Sequence, residues 1–280
     1  MTGGKVLKTH KVIIIRYSVY FAKTKSFILA RRNTTEQYKA KLFDEKRLNM
    51  HEFLFLNVTM PSLVHQIHGK MDESVTVMVI TSEDLPDKYM KRLNTLASEY
   101  SWFKVVLASQ ESNISKVIDE AIHFEERTLV ATIRLDDDDA LSASFLRTID
   151  SYLIEENADK CLTLARGVNA NFNSQTLQYS CFHEILYSKV SVGLTYIRWF
   201  DPEDDSPFVS IYGLGNHVKV NEVKRLIVDK KEISFLRTHH ELSDTAGANA
   251  NAHVKIFNTD PTVFFESVFS LNPSLCERGC

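Results

Sequence analysis

Four consecutive aspartates, Asp136 to Asp139, stand just beyond an uninterrupted apolar run, Thr128-Leu129-Val130-Ala131-Thr132-Ile133, with Arg134-Leu135 between. A run of that length and composition is a buried strand. After the aspartates, Leu141, Phe145, Ile149 and Leu153 recur at four-residue steps, which predicts an amphipathic helix over 140–156. The carboxylates therefore end a strand, the place where open α/β sheets bind ligands. Like charges at this density repel unless something cationic sits among them. A divalent ion with oxygen ligands meets that need, because carboxylates one residue apart can share it. One or two aspartates would suffice to cap a helix and meet its dipole. Four are more than capping requires.

The residues before the aspartates repeat one pattern. His10 to Ser18 is a strand apolar on both faces, with Arg16 where it ends, and such strands belong in the middle of parallel sheets. Residues 22–46, rich in Lys, Arg and Thr, predict a loop with helical pieces. Residues 47–66 carry Leu48, Phe53, Leu54, Leu56 and Leu63 on a helical period, broken or restarted at Pro61. Strands follow at Val75–Thr81 and Phe103–Leu107, with helices at Asp87–Tyr100 and, capped by Asn113, through Phe124. The order β-α-β-α-β-α-β predicts a wound parallel sheet with right-handed crossovers.

The second half changes character. Short strands are expected at Cys161–Arg166 and Thr176–Phe182 around a 167–174 connection, and at Phe208–Tyr212, His217–Val220 and Glu232–Leu236. Val190–Phe200 is apolar and aromatic. Asp201-Pro202-Glu203-Asp204-Asp205-Ser206-Pro207 is an acidic loop. The tail is expected to be irregular apart from Thr262–Leu271.

At 280 residues and 44% hydrophobic content the chain can bury a large core, and its net charge of −3 speaks against nucleic acid as the main partner. Cys161, Cys181, Cys276 and Cys280 have neither zinc nor disulfide-framework spacing. No apolar run reaches the roughly 20 residues of a membrane span, and the first residues lack the apolar core of a secretion signal. The expected location is cytoplasmic, with the basic stretch Lys23–Lys46 able to bring the chain against the inner face of a membrane.

A wound first half ending in Leu-Asp-x-Asp-Asp, then a mixed-sheet half with a late histidine, resembles the GT-A glycosyltransferases that use nucleotide sugars. Arg16-Tyr17-Ser18, Met60-Pro61-Ser62-Leu63-Val64-His65-Gln66 and Arg134 to Leu141 resemble, more narrowly, the bacterial putative rhamnosyltransferase family. The resemblance covers most of 11–156 and then Arg237 to His240. It implies an α/β, GT-A-like wound mixed sheet flanked by helices, with a Rossmann-like N-terminal half. The division would be a single domain with a nucleotide-sugar half over 10–139, an acceptor half over 140–245 and a tail over 246–280.

The resemblance also implies roles. The donor would be a UDP, dTDP or GDP sugar, the acceptor a glycan or lipid-linked glycan of bacterial surface polysaccharide synthesis, and the cofactor Mn2+ or Mg2+. Asp138 would bind the metal and Asp136 ribose or the metal's water, leaving Asp139 as helix cap; Asp137 with Asp139 is the other register. His239 or His240 would add a metal ligand, and on extended backbone only one of the two can reach it. Arg16 would contact base or ribose, Arg134 offset the aspartates, and Arg237 grip the diphosphate. Asp137 would line the nucleotide-sugar site. The base for the acceptor hydroxyl is expected at Asp204 or Asp205. The competing reading is a magnesium-dependent phosphohydrolase or phosphotransferase. Its nucleophile motif is usual on the first strand, which here ends in Arg16-Tyr17-Ser18. A calcium loop would space its ligands around a glycine, which this run lacks.

Overall fold

A computed structural model describes residues 7–22, 30, 33–243, 255–256 and 260–277. The first half contains β1 (Thr9–Tyr17), α1 (Thr35–Leu42), α2 (Glu45–Leu54), α3 (Met60–Val64), β2 (Val75–Ser82) and α4 (Asp87–Glu99). It closes with β3 (Phe103–Ala108), α5 (Ile114–Ala121) and β4 (Thr128–Asp136). The four strands lie parallel, with β1 between β2 and β4 and β3 outside β2. On β1, Ile13 and Ile15 face one core and Val12 and Ile14 the other, so each face needs its own cover of helices.

The second half adds β5 (Ala140–Leu141), α6 (Phe145–Tyr152), β6 (Lys160–Leu164), β7 (Arg166–Asn173), β8 (Gln178–Leu186) and β9 (Thr195–Phe200). Then come α7 (Val220–Val223), β10 (Leu226–Asp229), β11 (Phe235–His239), β12 (Lys255–Ile256) and α8 (Pro261–Phe269). Antiparallel β9 pairs with β4, and the main sheet runs β10-β6-β9-β4-β1-β2-β3 over seven strands. This is the wound, mixed α/β sheet that the sequence predicts. A second sheet of five strands, β12-β8-β7-β11-β5, stands beside it.

Several boundaries differ from expectation for identifiable reasons. Residues 167–174 are not a loop: most of them form β7, and the hairpin turns after Asn173, whose Oδ1 accepts the N–H groups of Gln175 and Thr176. Residues 208–212 and 217–220 are turns and a short helical stretch instead of strands. In the tail, by contrast, α8 falls on the apolar stretch Thr262–Leu271 set apart from the irregular remainder, and its Phe264 and Phe265 pack with Tyr179 and Phe182 of the second sheet. Pro61 does not break the helix. Phe55–Thr59 widens into a π-turn, with the Met60 N–H reaching back to Phe55, and the proline follows where its missing N–H is tolerated. Of the basic stretch Lys23–Lys46, residues 23–29 and 31–32 lie outside the described residues. Among the described residues no helix is long and apolar enough to cross a membrane.

The most informative difference follows the aspartates. The helix expected from 140 begins only at Phe145, and Ala140–Leu141 pair with β11. Side chains from 59–66 claim the intervening backbone: Thr59 Oγ1 donates to the Asp139 carbonyl at 2.8 Å, Ser62 Oγ accepts from the Leu141 N–H at 3.3 Å, and Gln66 Oε1 accepts from the Leu146 N–H at 2.9 Å. Gln66 thus does for α6 what a local cap would normally do, since Ser144 makes no side-chain cap bond. Gln66→Ala should cost about 1 kcal/mol, the usual value of a cap. The measurement is a lowered urea midpoint at unchanged slope.

Candidate metal and nucleotide site

The parallel register brings Arg16 of β1 level with Asp136 of β4. Its Nη2 and Nε donate to Asp136 Oδ1 at 2.5 and 3.2 Å. Burial alone would raise this carboxyl. Arg16 and then Arg134 overcome it and hold Asp136 far below the usual carboxylate range. Asp136 is therefore ionised and already paired.

Past the strand end the next two carboxylates each meet an imidazole. His51, from α2, has Nδ1 at 3.0 Å from Asp137 Oδ1. His240, just beyond β11, has Nε2 at 3.1 Å from Asp138 Oδ2. The two rings meet edge to face at 5.3 Å between centroids. One ligand atom each from His51, Asp137 and Asp138 fall within 4.8 Å of one another. His51 Nε2 and His240 Nδ1 are buried without a partner, so the ring edges left over are spent on nothing else. Carboxylate oxygens with imidazole nitrogens form a donor set suited to a divalent ion of the manganese or magnesium kind, with imidazole favouring manganese. The residues fit such an ion. Asp138, though buried, is held below the usual range by the hydrogen bond and charge of His240.

Asp139 has a different task. It is 3% exposed, and its Oδ1 accepts the Thr238 N–H at 2.8 Å, which ties β11 to the acidic turn. Burial, then the charges of Asp138 and Asp136, push its carboxyl up. It caps no helix, in contrast to expectation, because α6 starts six residues later. The tie fixes where the chain leaves β11, and hence where His240 meets Asp138.

Two more arginines face the cluster. The guanidinium carbon of Arg134 lies 5.1 Å from the ring centroid of Tyr212 and that of Arg16 5.7 Å from it. Arg134 and Arg237 make no side-chain hydrogen bond to a carboxylate among the described residues, although Arg237 lowers Asp136 through its charge. His217 belongs to the same group: burial, then Arg134, lower its imidazole to about 4, which leaves it neutral at pH 7.

Not every expected residue comes here. His239 stands on the face of β11 that Arg237 shares, opposite to that of His240, and makes no hydrogen bond to the aspartates among the described residues, although the charges of Arg237 and Asp138 act on its imidazole. Asp204 and Asp205 are exposed, in the loop after β9. Because Phe200 pairs with Thr128, that loop leaves the sheet at the N-terminal end of β4, roughly 26 Å of extended chain from Asp136. Arg127, at 3.8 Å from Asp201, marks the same far end. The structure does not bring either candidate base to the aspartates. It brings instead His51, Tyr212 and His217, which the sequence reading passed over. A lone histidine on an apolar helix carries no signal of its own; the Met60–Gln66 segment, which begins nine residues further along, was the nearest clue.

The family described as "Putative rhamnosyl transferase" matches residues 10–252. No protein of curated function matches the chain. Among solved structures, S. aureus TarS 1–349 is 13% identical with a TM-score of 0.44, covering 82% of this chain and 60% of that one. A longer S. aureus TarS is 14% identical, TM-score 0.41, covering 82% and 37%. The inositol-1-phosphate CTP transferase from T. maritima is 11% identical, TM-score 0.33, covering 87% and 92%. The chain thus spans less than two thirds of the length of either TarS chain.

Proposed function

The chain belongs to the family described as "Putative rhamnosyl transferase", and on that premise we propose that it is a metal-dependent glycosyltransferase moving a sugar from a nucleoside diphosphate to a glycan or lipid-linked acceptor. One observation carries the metal and donor parts of this reading. Paired His51–Asp137 and His240–Asp138 contacts lie next to two arginines, Arg134 and Arg237, that have no carboxylate hydrogen bond among the described residues. A diphosphate needs both halves of that arrangement: a cation and fixed guanidinium groups.

Breaking the bond between the sugar and the β-phosphate builds negative charge on the β-phosphate oxygen that leaves the sugar, and groups that strengthen their hold as charge builds lower the barrier. A divalent ion bound by Asp137, Asp138, His51 and His240 would supply charge neutralisation at that oxygen. Arg134 and Arg237 would hold the phosphates from the other side, bidentately where geometry allows. Arg16 is committed to Asp136, and the pair would orient that carboxylate toward the ribose. Tyr212, whose ring lies against the guanidinium groups of Arg134 and Arg16, would keep those two from swinging away. The nucleotide-sugar half then spans 10–139 and the acceptor half 140–245. Contact of Lys23–Lys46 with an anionic membrane surface belongs to the same proposal.

Calorimetric titration of UDP, dTDP and GDP, each with and without Mn2+, tests the reading. One diphosphate binding only in the presence of metal is the expected result. Metal binding with no nucleotide binding would overturn it in favour of a phosphohydrolase or a structural cation.

A further inference from the structure

On the second sheet the register aligns two rows across three strands. Arg237 lies opposite Asn169, and Asn169 opposite His183; His239 lies opposite Asn171, and Asn171 opposite Ser180. Residues paired across strands share a face, as do residues two apart along β11 and β7, and on β8 a register shift between the two rows brings His183 and Ser180, three apart, opposite Asn169 and Asn171. All six side chains therefore stand on one side of the sheet. The row before them is apolar: Phe235 and Ile185 belong to the main core, and Phe235 lies flat over Gly167. The surface changes from core to wholly polar within one step along three strands.

None of these six polar side chains hydrogen-bonds to another group among the described residues. Asn169 Oδ1, His183 Nδ1 and His239 Nε2 are buried and unpartnered, and Asn169 is only 6% exposed. Buried polar groups are nearly always paired, and three unpaired ones on one face ask for an occupant. The rows begin at Arg237, whose charge reaches Asp136 and Asp139, and run outward over β7 and β8. With about 4.8 Å between strands and about 7 Å between rows, the array covers roughly 10 by 7 Å.

We propose that this array binds the hydroxyl groups of the acceptor sugar. An anion would call for several cations, and the array holds one, at its edge. An amide, a hydroxyl and imidazoles both donate and accept, as sugar hydroxyls do. The array begins beside the donor group and leads away from it, so a pyranose ring seated there presents a hydroxyl toward the metal cluster. This assignment rests on the glycosyltransferase reading above for the word acceptor, and on the unpaired polar face alone for the word sugar.

The test uses the full chain with Mg2+ and the methyl pyranosides of glucose, galactose, mannose, rhamnose and N-acetylglucosamine as probes, followed by saturation-transfer NMR. At least one pyranoside should bind. Asn169→Leu and Asn171→Ala should each weaken it by about fivefold, the effect of one lost hydrogen bond. Calorimetric binding of the nucleoside diphosphate should stay unchanged in both. Asn171 is exposed, so its variant decides the matter if Asn169→Leu does not fold. No binding of any pyranoside, or binding indifferent to the substitutions, overturns the sugar site. Sugar binding that responds to them in a protein that binds no nucleotide upholds the site and overturns the transferase.

Discussion

Asp138→Asn should weaken divalent-cation binding by about 100-fold or more, since even outer partners of metal ligands cost 10–100-fold. Nucleotide binding should fall with it. The substitution keeps the volume and removes the charge, so the fold is spared while His240 Nε2, now at 3.1 Å from the carboxylate, faces an amide. Free Mn2+ measured by electron paramagnetic resonance gives the affinity directly. Sugar transfer should drop in proportion, and a nearly unaltered Mn2+ affinity would move the ion elsewhere. Asp139→Asn makes the comparison sharp. Asp139 binds the Thr238 backbone through Oδ1, and an asparagine oxygen can do the same. The two neighbouring substitutions should therefore differ greatly in their effect on the ion.

The second large effect lies away from any charge. A Cβ on Gly167 would stand 2.3 to 2.5 Å from three ring atoms of Phe235, which is fully buried. The clash is with a fully buried ring, so the ring, and β11 with it, must shift. Gly167→Ala should cost about 3 kcal/mol, the upper end for overpacking, and lower Tm by roughly 6–12 °C in a chain of this size. Because β11 leads into His240, the shift should also loosen the metal site, and adding Phe235→Leu to the Gly167→Ala chain should recover both properties. Thermal unfolding and Mn2+ affinity measured on the single and double variants check this. Full loss of stability without any change in Mn2+ affinity would show that the strand and the site are uncoupled.

The first half was legible because its signals are local. Strands such as Val12 to Ile15 are apolar on both faces, and only a parallel sheet covers both. The aspartates were legible for the same reason, since their repulsion is written in adjacent residues. What failed was everything decided by contact at a distance. Leu141 keeps the helical four-residue step yet lies in a strand, because Ser62 and β11 take its backbone first. Residues 167–174 read as a loop because Gly167 and three asparagines resemble a turn. Here Gly167 makes room for Phe235, and Asn169 and Asn171 form part of a polar face. His51 becomes a candidate ligand only through its meeting with Asp137, 86 positions away.

That distance has a further meaning. His51, the Asp137–Asp138 pair and His240 come from a helix, the turn after one strand and the residue just past a strand of the other sheet, with 86 positions across one contact and 102 across the other. An ion held by all of them would act as a rivet through the polypeptide, ruling out many disordered arrangements of the loose chain. By mass action, an ion present at 100 times its Kd contributes about 2.7 kcal/mol to the folded form. Scarcity of metal would then reduce how many molecules remain intact as well as how fast each one works.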